Sequence, residues 1–136
     1  MKIRGLLLKN FAETSAGFVL ICGLVLCGSA SGADDNPLAQ SKAAAQKGKA
    51  TYLRLCQYCH GFDGKAHENI DFQATNLTEL EGWKNGTELA NIFNSIKNGA
   101  GDDMPAFKTK ATDEEIWQMV AYILSIGPEA RRPKNE

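Results

Sequence analysis

The segment Cys56-Gln57-Tyr58-Cys59-His60 contains two cysteines separated by two residues and a histidine directly after the second cysteine. On one turn of helix, residues at this spacing lie on the same side, so both thiols can reach the same cofactor. Each thiol can add across one vinyl group of a haem, and the spacing is the attachment signature of c-type haem. His60 can then bind the iron as an axial ligand. We therefore predict one covalent haem c attached through Cys56, Cys59 and His60.

Three other interpretations of this segment are weaker. A zinc site would need a second pair of ligands, and after residue 33 the sequence offers no further cysteine and only His67 as another histidine. A thioredoxin-like redox motif would need a surrounding βαβ pattern, which the sequence does not show. A structural disulfide between Cys56 and Cys59 would leave His60 without a role. Haem attachment uses all three side chains.

The second axial ligand decides what such a haem can do. An iron bound only by His60 has an open coordination site, whereas a second protein ligand makes an electron carrier. Met119 falls in the apolar stripe of a helix and is typical of a core residue. His67 follows His60 so closely that it can hardly reach the opposite face of a porphyrin. Met104 lies in a glycine-containing loop and is followed by Pro105, so we predict Met104 as the second ligand.

Residues 1–33 have the pattern of a signal peptide. Basic residues precede an apolar run at 18–27, and small residues follow it, with cleavage expected near Ala30 or Ala33. The run is shorter than the roughly 20 apolar residues that span a bilayer. We therefore predict export to the periplasm. The alternative is an uncleaved segment that anchors the protein in the inner membrane, with the remaining residues facing the periplasm.

The sequence after residue 33 has the size and charge of one small acidic domain. Its 103 residues carry 12 Lys and Arg against 15 Asp and Glu, a net charge of −3. This charge argues against nucleic acid as a partner. Cys56 and Cys59 are its only cysteines, so no disulfide framework is available. A chain this small has a marginal core, and a buried porphyrin would supply much of the missing apolar volume.

Apolar residues at helical spacing predict three main helices, and no segment shows the alternation of a strand. Each predicted helix starts at a capping residue and ends at a glycine or at the haem segment. The helices are expected from Ser41 towards Leu55, from Thr87 to Asn98-Gly99, and from Thr112, with Glu115 completing a capping box, to Gly127-Pro128. The domain is therefore predicted to be all-α.

The domain boundaries follow from these elements. We assign the domain to residues 41–128, with a flexible N-terminus at 34–40 before it and a polar, mobile tail at 129–136 after it. Residues 66–80 show little periodicity and are predicted to form a loop around the cofactor. Gly48 is unusual inside the first helix. It is either tolerated at an exposed position or allows close packing against another helix.

Over about residues 41–127 the sequence resembles the class I, monohaem cytochromes c of bacteria. The resemblance rests on three segments: Cys56-Gln57-Tyr58-Cys59-His60-Gly61, Met104-Pro105-Ala106-Phe107, and Trp117-Gln118-Met119-Val120-Ala121-Tyr122-Ile123. It implies a small cytochrome c fold in which three main helices wrap around one covalently bound haem. The N-terminal and C-terminal helices of this fold cross, here at a contact between Gly48 and Tyr122.

The resemblance also implies a set of haem ligands. These are Cys56 and Cys59 as thioether sites, His60 as the proximal ligand and Met104 as the distal ligand. Many members of the family have a proline shortly after the haem segment, whose carbonyl orients the proximal histidine. This sequence has no proline between Pro37 and Pro105. Another carbonyl, within residues 64–78, is therefore expected to orient His60.

The function implied by the resemblance is one-electron transfer in the periplasm rather than enzymatic catalysis. The partners would be redox proteins, with a dehydrogenase or respiratory complex as donor and an oxidase or another cytochrome as acceptor. One alternative is a dedicated cytochrome subunit of a periplasmic dehydrogenase or oxidase. An alternative from a different class is a haem enzyme or gas sensor with a labile sixth ligand.

Overall fold

The computed structural model describes residues 36–66 and 73–136, so the predicted signal peptide and His67 lie outside the described residues. In these ranges the α-helices are α1 (Lys42–Leu55), α2 (Gln57–His60), α3 (Leu89–Asn98) and α4 (Asp113–Ile126), and short 3-10 helices form at Pro37–Gln40 and Glu129–Arg131. Two isolated backbone bridges do not extend into strands in this part of the chain. The predicted all-α fold is therefore confirmed. Each helix in the described ranges is too short or too polar to cross a membrane.

α1 and α4 cross at Gly48, which is buried. A β-carbon added to Gly48 would lie 1.8 Å from the carbonyl oxygen of Gln118 in α4. Small residues keep the two helices close, and a buried cluster contains Ala44, Ala45 and Ala121. The expected crossing of the two helices is present, and Gly48 occupies a packed position. Its nearest neighbours are Gln118 and Met119 rather than Tyr122, whose ring instead contacts that of Tyr52 with centroids 4.9 Å apart.

α4 supplies a large part of the core. Its start is fixed by the predicted capping box, in which Glu115 N donates to Thr112 Oγ1 at 3.2 Å and Thr112 N donates to Glu115 Oε2 at 2.8 Å. Residues 116–124 are all buried, because α4 packs against both α1 and α3. On the α3 side, the rings of Phe93 and Trp117 stack with centroids 4.4 Å apart.

The start of α3 differs from the prediction. Thr87 was expected as its cap, but the N-cap is Glu88, which has extended backbone angles and makes no capping hydrogen bond with its side chain. The carbonyl of Thr87 instead accepts a hydrogen bond from the guanidinium of Arg131. That contact joins residues distant in sequence, so the local pattern does not reveal it. The predicted end of α3 is correct, since Gly99 follows Asn98 with φ +90°.

Both ends of the described domain make specific contacts. Before α1, Pro37–Gln40 form a 3-10 helix in which Ala39 is fully buried. After α4, the tail returns to the start of α1, where Lys42 N donates to Asn135 O at 2.8 Å and Asn135 N donates to Gln40 O at 3.1 Å. The tail is polar, as expected, but these backbone hydrogen bonds hold it against the domain.

Candidate functional site

A cavity of about 280 Å³ lies between α2, α3 and the loops that follow them. All four residues predicted to hold the haem, Cys56, Cys59, His60 and Met104, line this cavity. Apolar side chains form most of the remaining wall, among them Leu55, Leu77, Ile92, Ile96, Phe107 and Ile123. The structure therefore brings the haem segment and the Met104 loop together around one apolar space.

The two cysteines lie where α1 passes into α2. Cys56 ends α1, and its carbonyl accepts hydrogen bonds from the amides of Cys59 at 3.2 Å and His60 at 3.0 Å. Both thiols are free. Burial raises the pKa of Cys56 to about 12 and also raises the pKa of Cys59, so both thiols are protonated at neutral pH.

Two of the three alternatives to haem, a dithiol redox centre and a zinc site, use the thiolate form of cysteine. Reactive cysteines of redox motifs have lowered pKa values, and zinc binds the thiolate. In the part of the chain that the structure describes, no group of three or more His, Cys, Asp or Glu side chains could hold a metal ion. The raised thiol pKa values do not support a dithiol redox centre, and the described residues contain no cluster that could hold zinc.

The imidazole of His60 is oriented by a backbone carbonyl. Its Nδ1 lies 2.9 Å from the carbonyl oxygen of Thr75. Because a carbonyl can only accept, Nδ1 carries the proton in this hydrogen bond and Nε2 has a free lone pair for a metal. Thr75 lies within residues 64–78, where the sequence predicted such a carbonyl. Burial lowers the pKa of His60 despite the opposing effect of the Thr75 hydrogen bond, which favours the neutral form that binds metals.

A tight loop after α3 places Met104. Ala100 N donates to Met104 O at 3.1 Å, and a β-carbon on Gly99 would lie 2.7 Å from the same oxygen. Met104 is half-buried and lines the cavity. Met119 is fully buried in α4 and is not part of the cavity wall, although its sulfur lies 4.0 Å from Cys56 Sγ. The two methionines thus occupy the core and cavity positions that the sequence predicted for them.

The cavity wall also contains Lys84, Asn85 and Ser95, which the sequence did not single out, and Lys110, one of the lysines expected to surround the haem edge. Asn85 Nδ2 donates to Ser95 Oγ at 2.9 Å, and Lys84 Nζ lies 4.0 Å from Asp103 Oδ2. The two lysines offer positive charge to acidic groups of a ligand. No motif marks these residues, because they come from a turn, a helix and a loop that meet only in the folded chain.

These features fit the haem c that the sequence predicts. The two free thiols suit covalent attachment, and the neutral imidazole with a free Nε2 suits iron. The apolar wall suits the porphyrin, and the lysines suit its propionates. Trp83 adds an aromatic ring to the wall, and its Nε1 donates to the carbonyl oxygen of Glu79 at 2.7 Å.

A family comparison covers the whole of this site. The protein family described as cytochrome c oxidase, cbb3-type, subunit III matches residues 43–123. This range contains Cys56, Cys59, His60 and Met104.

Curated relatives belong to the same oxidase type. The cbb3-type cytochrome c oxidase subunit FixP of Azorhizobium caulinodans is 32% identical over 84 residues, which are 62% of this chain and 28% of that protein. The cbb3-type cytochrome c oxidase subunit CcoP of Rubrivivax gelatinosus is 35% identical over 98 residues, 72% of this chain and 29% of that protein. This chain therefore spans less than a third of the length of either relative.

The comparison with solved structures agrees at the level of the fold. Cytochrome cL from the methylotrophic bacterium Methylophaga aminisulfidivorans matches with a TM-score of 0.59 and 20% sequence identity. The match covers 68% of this chain and 60% of that protein. Identity this low shows a shared fold alone.

Proposed function

This chain belongs to the family of cbb3-type cytochrome c oxidase subunit III, and from that premise we propose that it is a periplasmic one-electron carrier. Membership makes it a c-type cytochrome with a covalent haem c that transfers electrons. The proposal adds the ligands, the place and the manner of transfer. Cys56 and Cys59 would attach the haem, and His60 and Met104 would bind its iron.

One observation supports the assignment of the haem ligands. Cys56, Cys59, His60 and Met104 all line one apolar cavity, although Met104 comes from a different loop of the chain. Bound haem c supplies an iron that alternates between the ferric and ferrous states. The hydrogen bond from His60 Nδ1 to Thr75 holds the imidazole in one tautomer and one orientation. Met104 presents a soft thioether, which favours ferrous iron and raises the potential.

Retention of both protein ligands distinguishes a carrier from an enzyme or a gas sensor. His60 and Met104 together would leave no coordination position for oxygen, peroxide or another small ligand. The apolar wall around Ile92, Ile96 and Phe107 limits the access of water. The chain's residues therefore hold the cofactor in place and exclude other reactants, and they need not move a proton.

The visible spectrum of the purified protein tests this part of the proposal. Acidified acetone should leave the pigment on the chain, and the ferric protein should show the weak methionine-to-iron band at the red end of the visible spectrum. Extractable pigment would contradict covalent attachment. A high-spin ferric spectrum together with rapid binding of carbon monoxide would instead support the sensor or enzyme alternative.

The alternative role is a dedicated subunit of an oxidase. It is favoured by the names of the relatives, which are subunits of cbb3-type oxidases. The proposal of a periplasmic shuttle rests on the signal-peptide pattern of residues 1–33, which lie outside the described residues. An uncleaved segment would instead tether the same domain to the inner membrane.

A multiple-turnover assay separates the shuttle from the subunit. Excess reduced protein is mixed with a small amount of purified cbb3-type oxidase, and the oxidation of the haem is followed in the visible spectrum. A shuttle exchanges freely and is oxidised to completion over many turnovers. A dedicated subunit stays bound, so that only an amount equal to the oxidase is oxidised quickly. That second result would replace the shuttle with the subunit.

A further inference from the structure

The hydroxyl of Tyr52 makes a buried hydrogen bond next to the proposed iron ligand. Tyr52 lies in α1 and is fully buried, and its hydroxyl donates to the carbonyl oxygen of Gly61 at 2.7 Å. Gly61 directly follows His60 and ends α2. Burial raises the pKa of Tyr52, so this hydroxyl stays protonated and remains a donor at any ordinary pH.

The loop that starts at Gly61 holds both the backbone and the ring of His60. The carbonyl of His60 accepts a hydrogen bond from Ala66 N at 2.8 Å. Leu77 N donates to the carbonyl of Gly64 at 2.7 Å, which joins the loop to the segment that carries Thr75. Thr75 in turn accepts the hydrogen bond from His60 Nδ1. A displacement of the loop would therefore change the orientation of the imidazole.

Tyr52 links this loop to α1. Gly61 has φ +78°, a conformation that favours glycine, so helical hydrogen bonding does not continue through the turn. Besides Tyr52, the Gly61 carbonyl has only a long contact with Gly64 N, at 3.4 Å, among the described residues. Loss of the tyrosine hydroxyl would leave a buried carbonyl poorly paired, which makes a shift of the turn favourable.

We propose that Tyr52 is a positioning residue for the haem site: its hydroxyl holds the His60–Gly61 turn and thereby keeps the His60 imidazole hydrogen-bonded to Thr75. The inference rests on the proposed role of His60 as iron ligand. A firm hydrogen bond from Nδ1 makes the other ring nitrogen a stronger base. A stronger base favours ferric iron, so loosening this bond should raise the reduction potential.

The test compares the haem-loaded Tyr52→Phe variant with the haem-loaded Tyr122→Phe variant. Tyr122 is the ring partner of Tyr52, and its hydroxyl makes no hydrogen bond to another described residue, so this control removes the same atom from the same aromatic pair. The readouts are the reduction potential and the exchange rate of the His60 Nδ1 proton. NMR of the ferrous protein measures this exchange rate. Tyr52→Phe should raise the reduction potential. It should also speed the exchange of the Nδ1 proton by about tenfold, the factor that corresponds to loss of a typical hydrogen bond. Tyr122→Phe should change neither.

A hydroxyl-bearing analogue provides the rescue. 3-Fluorotyrosine incorporated at position 52 keeps the donor, and it should bring both readouts back towards those of the wild type. Equal readouts for Tyr52→Phe and the wild type, or equal shifts in both phenylalanine variants, would overturn the role of Tyr52 while leaving the haem ligands intact. A wild-type protein that lacks covalent haem would overturn the proposed function itself, and with it this inference.

Discussion

Met104 and Met119 have the same side chain but different surroundings. Met104 is half-buried on the cavity wall, in a loop closed by its own carbonyl. Met119 has no exposed surface, and its sulfur lies beside that of Cys56 in the core. A thioether binds iron only where it can approach the metal, whereas in the core it fills space between neighbouring side chains.

Replacing Met104 with alanine should therefore change the chemistry of the iron. The haem should stay attached, but its sixth position should open, so the ferrous protein should bind carbon monoxide readily. The potential should fall because the soft thioether that favoured ferrous iron is lost. Visible spectroscopy and potentiometric titration measure these effects.

Met119→Ala is the matched control for this prediction. It should leave the methionine-to-iron band unchanged and lower the free energy of unfolding by about 2–5 kcal/mol, because it creates a cavity in the core. Loss of the band in Met119→Ala, with a wild-type spectrum for Met104→Ala, would exchange the roles of the two residues.

At the scale of the helices, the crossing of α1 and α4 depends on the missing side chain of Gly48. A β-carbon there would overlap the Gln118 carbonyl, which is part of the rigid backbone of α4. Gly48→Ala should therefore push the two helices apart. Alanine normally stabilises a helix by about 1 kcal/mol relative to glycine, but here overpacking should dominate and lower the free energy of unfolding by about 1–3 kcal/mol.

Denaturant unfolding of the haem-loaded protein measures this effect. Ala50→Leu adds a larger side chain to an exposed position of the same helix, and it should change stability by less than about 0.5 kcal/mol. If Gly48→Ala were neutral or stabilising, the tight crossing described above would be wrong.

The start of α4 should give the protein a specific dependence on pH. Hydrogen bonds from the backbone and side chain of Thr112, with a smaller effect of Arg54, lower the pKa of Glu115 below its ordinary value. A carboxylate with a lowered pKa in the folded state stabilises the protein above its ordinary pKa, and this contribution is lost as the pH falls through the folded value. The capping box should therefore weaken in acid.

Glu115→Gln tests this dependence through unfolding curves measured from neutral pH into the acid range. The variant should be less stable than the wild type near neutral pH, and the difference should shrink as Glu115 becomes protonated in the wild type. Glu114→Gln removes the same charge one residue earlier without touching the capping box, so it separates the loss of a charge from the loss of the cap. A constant difference for Glu115→Gln would contradict the assignment.

At the scale of the whole molecule, the buried core and the cavity wall share several residues. Leu77, Ile92, Ile96, Phe107 and Ile123 belong to the buried core and also line the cavity. Bound haem would pack against these side chains, and a chain of this size has little other core to hold it together without that packing.

The double variant Cys56→Ala/Cys59→Ala should therefore lose most of its helical structure, because it cannot keep a covalent haem. Far-ultraviolet circular dichroism of the purified variant measures this loss, with haem-loaded wild type as the reference. Native helix content and a cooperative unfolding transition in the haem-free variant would show that the chain folds without its cofactor.

The sequence by itself determined the features that depend on neighbouring residues. The spacing of Cys56, Cys59 and His60 predicted a covalent haem c, which the family supports, because the chemistry needs these three side chains within a few residues of each other. The capping box at Thr112 and the end of α3 at Gly99 were predicted correctly for the same reason, since caps are formed by residues within one turn. Met104 lines the cavity as expected, and its role as a ligand stays a prediction.

Only the tertiary structure decided which distant residues meet. It placed the Thr75 carbonyl on His60 and the Tyr52 hydroxyl on Gly61, and it brought the tail back to the start of α1. Each of these contacts joins a polar group to a partner on another element. Which groups pair depends on how the packed helices bring distant segments of the chain together. No local pattern of residue types contains that information.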